Sequence, residues 1–119
     1  MNEDDQALAT NLEDVLQAGE QLRHRAPASE ATIAVTDRRL IVADPHRVAL
    51  AVPFERLRRI QFDVERKRPA TLVIVPEHPS DEAQVLTVRP EQYEATAQAL
   101  VAIGLELAAS GHQDVAGQA

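Results

Sequence analysis

The sequence predicts a mainly β (α+β) domain: about seven short antiparallel strands in two small sheets or a barrel, one end capped by a C-terminal helix, with a short helix in front. Three observations carry this reading. Between residues 21 and 88, aliphatic and β-branched runs of five to seven residues alternate with polar stretches bearing Pro, Asp, Glu and Arg. Those stretches are of hairpin length, whereas a parallel crossover needs about a dozen residues or more. Past Pro90 the apolar spacing switches from two to three-and-four, the mark of a helix.

The elements follow in order. Leu8, Leu12, Val15 and Leu16 recur at helical spacing over residues 6–17, and Gly19 supplies a stop, so a short amphipathic helix is expected there. Its apolar stripe is read as lying on the domain. Residues 21–26 form the first expected strand and 27–30 a turn. Residues 31–36 and 39–44 are strands of β-branched character, joined at a polar corner of Thr36, Asp37, Arg38 and Arg39. The turn at 44–47 has Pro45 at its favoured second position. In 48–52, Val48, Leu50 and Val52 alternate with Ala49 and Ala51. A single helical turn is expected at 53–57.

Residues 59–65 show the cleanest alternation, with Ile60, Phe62 and Val64 expected inward and Gln61, Asp63 and Glu65 outward. The run at 71–75 is apolar enough to be covered on both faces. After a polar loop, 84–88 is the last strand. Pro90 opens the final helix where its missing N–H is harmless. Its expected buried stripe is Tyr93, Ala97, Leu100, Ile103, Gly104 and Leu107, with Gly104 allowing close approach to a strand. Residues 1–11 read as an acidic, partly disordered start and 110–119 as a disordered tail.

Composition bounds the function. The 119 residues fit one domain, and only Phe54, Phe62 and Tyr93 are aromatic, so the core is expected to be aliphatic. With no cysteine there is neither a disulfide framework nor a thiol nucleophile. The start is acidic rather than basic, and no apolar run approaches a membrane span, so a soluble, cytoplasmic protein is expected. The net charge of −7 is divided: all twelve basic residues lie in 23–89, facing nine acids there. An acidic overall balance argues against nucleic acid as a partner.

The corner residues resemble a known group when read with their surroundings. The carriers are Leu16 to Glu20, the stretch Ile33 to Ile41 across Thr36, Asp37, Arg38 and Arg39, the segment Val52 to Ile60, and the helix from Pro90. In that order and spacing the chain resembles the bacterial pleckstrin-homology-like domains over about residues 12–109. The resemblance implies a partly open barrel of seven strands plugged by the last helix. It implies no single ligand. Eukaryotic relatives that bind phosphoinositides use a basic loop after the first strand, and here that loop, 27–30, holds one acid and no base.

A physical account of the corner is structural. Thr36 and Asp37 cap their own turn through side-chain bonds to the backbone. Arg38 or Arg39 pairs with Asp37 or a neighbouring carboxylate and holds the hairpin.

Catalytic signals are weak. His24, His46, His78 and His112 are scattered without the convergence a metal needs, and His24 is read as an exposed strand residue. Ser29, Ser80 and Ser110 stand outside any nucleophile-elbow pattern, and the four glycines form no phosphate loop. No enzyme, cofactor or metal is expected. Arg56, Arg58, Arg59, Arg66, Lys67 and Arg68 form the one concentration of charge. Arg59 and Arg66 fall near opposite ends of a strand, which suggests two small patches. Interleaved Glu55, Asp63 and Glu65 read as a solvated, self-paired face. The leading expectation is a non-enzymatic interaction domain working through protein–protein contacts or self-association, with 48–52 and 84–88 as candidate strand edges. The alternative is a weak binder of anionic lipid head groups, at a membrane surface, or other anionic ligands through the Arg56 to Arg68 region.

Overall fold

The computed structural model describes residues 12, 14–28, 31–65 and 68–109. Seven strands form two antiparallel sheets: β1 (Leu22–Ala28), β2 (Ala31–Thr36), β3 (Arg39–Ala43) and β4 (Val48–Pro53) in one, β5 (Leu57–Asp63), β6 (Ala70–Pro76) and β7 (Gln84–Val88) in the other. Each sheet follows sequence order, so every strand pairs with its chain neighbour. A 3₁₀ turn, Phe54–Arg56, links the sheets, and a second, Pro90–Gln92, leads into helix α1 (Tyr93–Ala109). The two sheets do not close into one barrel, and α1 lies across the opening between them.

The core shows why the strands read as they do. Ile33, Val35, Leu40, Val42, Leu50 and Val52 from the first sheet meet Leu72, Ile74 and Val88 from the second, under Ala99 and Ile103 of α1. Burying each such side chain contributes roughly 1.5–3 kcal/mol before entropy is counted. The other face of β2 and β3 is covered too: Ala34, Ile41 and Ala43 pack against Leu12, with Val15 and Leu16 beside them. Strands buried on both faces need continuous apolar runs, which is what residues 33–35 and 40–43 supply. The N-terminal turn therefore packs on its own domain; of the expected helix 6–17, the part before residue 12 lies outside the described residues.

Several expectations are corrected. β1 runs through Pro27 to Ala28 instead of stopping at residue 26. It is an outer strand, where the missing proline N–H interrupts no ladder on the open side. β5 begins at Leu57, with a bulge between Leu57 and Arg59, and ends at Asp63. Val64 is thus not inward but 51 % exposed. β6 alternates strictly in burial and is not covered on both faces: Thr71 is exposed while Leu72 and Ile74 are buried. On α1 the buried residues are Thr96, Ala99 and Ile103, whereas Ala97 is exposed. Gly104 faces open space, with nothing within 4 Å of where a Cβ would sit, so it serves no close approach.

Candidate functional site

The Thr36-to-Arg39 corner is a clasp on the N-terminal segment. The Glu20 side chain is fully buried and receives a fork from Arg39, Nε to Oε2 at 2.9 Å and Nη2 to Oε1 at 3.0 Å. The Thr36 hydroxyl donates to Oε2 at 2.6 Å, and the Gln17 N–H donates to Oε1 at 2.8 Å. Arg39 Nη2 also reaches the Val15 carbonyl at 2.9 Å. Thr36 Oγ1 accepts from the Arg38 and Arg39 N–H groups, both at 3.0 Å, which closes the turn. Asp37 accepts from the Gln21 N–H at 2.9 Å, and Arg38 donates to the Gln17 side chain at 3.1 Å. Burial pushes the Glu20 carboxyl up, but the Arg39, Gln17 and Thr36 hydrogen bonds and the Arg39 charge outweigh it and hold the group at about 2. These hydrogen bonds all run within the chain and tie the corner to the segment from Val15 to Gln21.

The open surface lies elsewhere. A cleft of about 320 Å³ runs between β7 and the β3–β4 turn, lined by Ala31, Val42, Asp44, Arg47, Ala49 and the stretch Gln84, Val85, Leu86 and Thr87. Val42 pairs with Leu50 and Ala43 with Val48, which leaves Ala49 as the extra residue of a bulge. Asp44 accepts from the His46 and Arg47 N–H groups at 2.8 and 2.9 Å; these bonds lower its carboxyl below the ordinary value and fix the turn that presents Arg47. Successive strand residues point to opposite faces, so a cleft that touches four in a row runs along the edge of β7. Among the described residues β7 pairs only with β6, and β4 only with β3.

The predicted basic residues separate. Arg56, at the end of the 3₁₀ turn, and Arg58 and Arg59, at the start of β5, are exposed, while Arg68 lies beyond the strand's other end, 3.6 Å from Glu65. Arg66 and Lys67 lie outside the described residues. Only the Glu65–Arg68 contact fits the self-paired reading; among the described residues no ion pair joins Arg56, Arg58 or Arg59 to an acid. Arg58 and Arg59 rim a groove of about 380 Å³ with an apolar wall of Phe54, Leu57, Ile60, Ile103 and Leu107.

Among the described residues no group of three or more His, Asp or Glu could hold a metal ion, and no helix is long and apolar enough to cross a membrane. His24, expected to be exposed, is half-buried with Nε2 3.0 Å from the Ala95 carbonyl, where it ties β1 to α1. Sequence reasoning missed Arg47 and the bulge residue Ala49 as cleft residues. A lone arginine after Asp44 and Pro45 reads as ordinary turn chemistry, and a bulge has no signature in an aliphatic run.

No protein-family model and no curated protein matches the chain. Its structure is similar to solved ones. A pleckstrin-homology domain from Shewanella amazonensis SB2B superposes with a TM-score of 0.61 at 19 % identity, over 79 % of this chain and 82 % of that one. A DUF1696-family protein with a pleckstrin-homology domain from Shewanella loihica PV-4 gives 0.59 at 20 % identity, over 86 % and 95 %. Two stacked antiparallel sheets of four and three strands, with a C-terminal helix across their opening, are thus the bacterial pleckstrin-homology-like fold.

Proposed function

We propose that the protein is a non-enzymatic interaction domain that takes up an extended segment of a protein partner as an added strand on β7. The observation that carries this reading is the unguarded edge. From Gln84 to Val88 there is no charge, proline or glycine, and Val85 is 69 % exposed. Proteins usually blunt such edges, because unpaired N–H and C=O groups recruit other strands. Here the edge borders a cleft with small apolar walls at Ala31 and Ala49, the Arg47 cation, and the Asp44 carboxylate, which is taken up by the N–H groups of its own turn. An added strand would satisfy the free backbone groups, place small or apolar side chains toward Ala31 and Ala49, and set an acidic residue against Arg47.

The test uses peptides selected from a displayed random library against the whole chain, mapped by amide chemical shifts. Shifts concentrated at Gln84 to Val88 and at Arg47 and Ala49, abolished by Val85→Lys, support the reading. Selected peptides that map to α1 or β5 contradict it.

A second reading is binding of anionic lipid head groups, favoured by three exposed arginines, Arg56, Arg58 and Arg59, that pair with no acid among the described residues. It requires sedimentation with anionic liposomes at low salt that fades as salt rises. A chain that stays in the supernatant under those conditions rules it out.

A further inference from the structure

We infer that a second copy of the chain pairs with this one along β5, antiparallel about a two-fold axis at Gln61. The inference concerns the opposite edge of the sheet from β7, so it stands or falls apart from the proposed peptide site. β5 is an outer strand that, among the described residues, pairs only with β6. Its segment from Arg59 to Asp63 is self-complementary when reversed on itself. With Gln61 opposite Gln61, Ile60 faces Phe62 of the second copy on the inner side. On the outer side Arg59 faces the second copy's Asp63. A two-fold axis repeats both contacts, so one dimer holds two Arg59–Asp63 pairs and two Ile60–Phe62 pairs.

Two features of the single chain are accounted for by this pairing. Among the described residues Arg59 has no acidic partner, and the Asp63 carboxylate accepts one hydrogen bond there, from Gln61 Nε2 at 2.9 Å. Val64 has the parity of the inward residues Ile60 and Phe62, yet it is 51 % exposed. In the paired register Val64 falls opposite Arg58, beside the apolar groove of Phe54, Leu57 and Ile60. The bulge at Leu57 to Arg59 breaks the ladder only at the start of the strand and leaves Ile60 to Asp63 regular. A slip by one residue would turn every side chain to the wrong face. A two-fold axis at Phe62 would set Arg59 against Glu65, which already lies 3.6 Å from Arg68.

Analytical ultracentrifugation of the full chain over a concentration series tests this, with circular dichroism confirming that each variant folds. The wild type is expected to be a dimer. Arg59→Asp and Asp63→Arg each place like charges opposite one another twice per interface and should weaken dimerisation about tenfold or more. The Arg59→Asp/Asp63→Arg double variant should recover it, as should an equimolar mixture of the two single variants. A monomeric wild type, or single reversals that leave the mass unchanged, overturns the inference. So does a double variant that fails to recover. If Arg59→Asp abolishes binding to anionic liposomes and leaves the mass unchanged, Arg59 belongs to a membrane surface and the inference is also overturned.

Discussion

Glu20 and Arg39 are nineteen positions apart in sequence and form a bidentate ion pair, with bonds of 2.9 and 3.0 Å and the carboxylate side chain wholly buried. The pair joins the segment that carries Leu12 and Val15 to the β2–β3 hairpin, over a patch formed by Ala34, Ile41 and Ala43. A planar guanidinium fits this task because two parallel N–H donors match two carboxylate oxygens, and a third donor is left for the Val15 carbonyl.

Breaking one side of a buried pair leaves the other charge without compensation. Glu20→Ala and Arg39→Ala should each cost about 3–5 kcal/mol in urea-unfolding experiments. Arg39→Lys should recover only part of this, since a lysine cannot donate the fork. A loss under about 1 kcal/mol for both alanine variants would show that the clasp is ornamental.

The same pair sets an acid limit. Glu20 is held at about 2 against its ordinary 4.5, so its contribution is fully present above pH 4.5 and is lost as the pH falls toward 2. That difference corresponds to roughly 3 kcal/mol. Unfolding free energy measured from pH 6 to pH 2 should fall through this window, and Glu20→Gln should flatten the slope. An unchanged slope in the variant assigns acid sensitivity to other carboxylates.

Thr36 is the hub of the turn, with its hydroxyl bonded to Glu20, to the Arg38 N–H and to the Arg39 N–H. Thr36→Val keeps the shape and removes all three bonds, at an expected cost of about 2 kcal/mol. Equal stability of the two proteins by calorimetry would contradict the assignment.

Gly19 has φ +79°, a region that L side chains avoid, and the Arg38 guanidinium lies 3.3 Å from where a Cβ would stand. Gly19→Ala should destabilise by about 1 kcal/mol. A neutral result would mean that the loop relaxes freely.

How much was legible follows from which forces act locally. Alternation and turn chemistry placed all seven strands, and Pro90 placed the start of the last helix, because these signals depend on a few neighbouring residues. Bounds failed where tertiary context decided them: Pro27 stays in β1 because that strand is an edge, and Val64 leaves β5 because the strand stops first. At the corner the sequence left the partner of Arg38 or Arg39 open between Asp37 and a neighbouring carboxylate, and in the structure Arg39 pairs with Glu20. Asp37 and Glu20 are both acids near Arg39, and only packing determines which one is buried beside it. The cleft was less legible still, since Arg47 and Ala49 acquire meaning only when β7 is brought opposite them.

The proposed function rests on β7 accepting a strand, and amide hydrogen exchange reads that event directly. In the free protein, amides of β7 that face away from β6 should exchange quickly. With a selected peptide bound, amides within Gln84 to Val88 should slow by an order of magnitude or more, and Val85→Lys should remove that protection. Protection that appears on β5 or α1 while β7 stays unprotected would contradict the account.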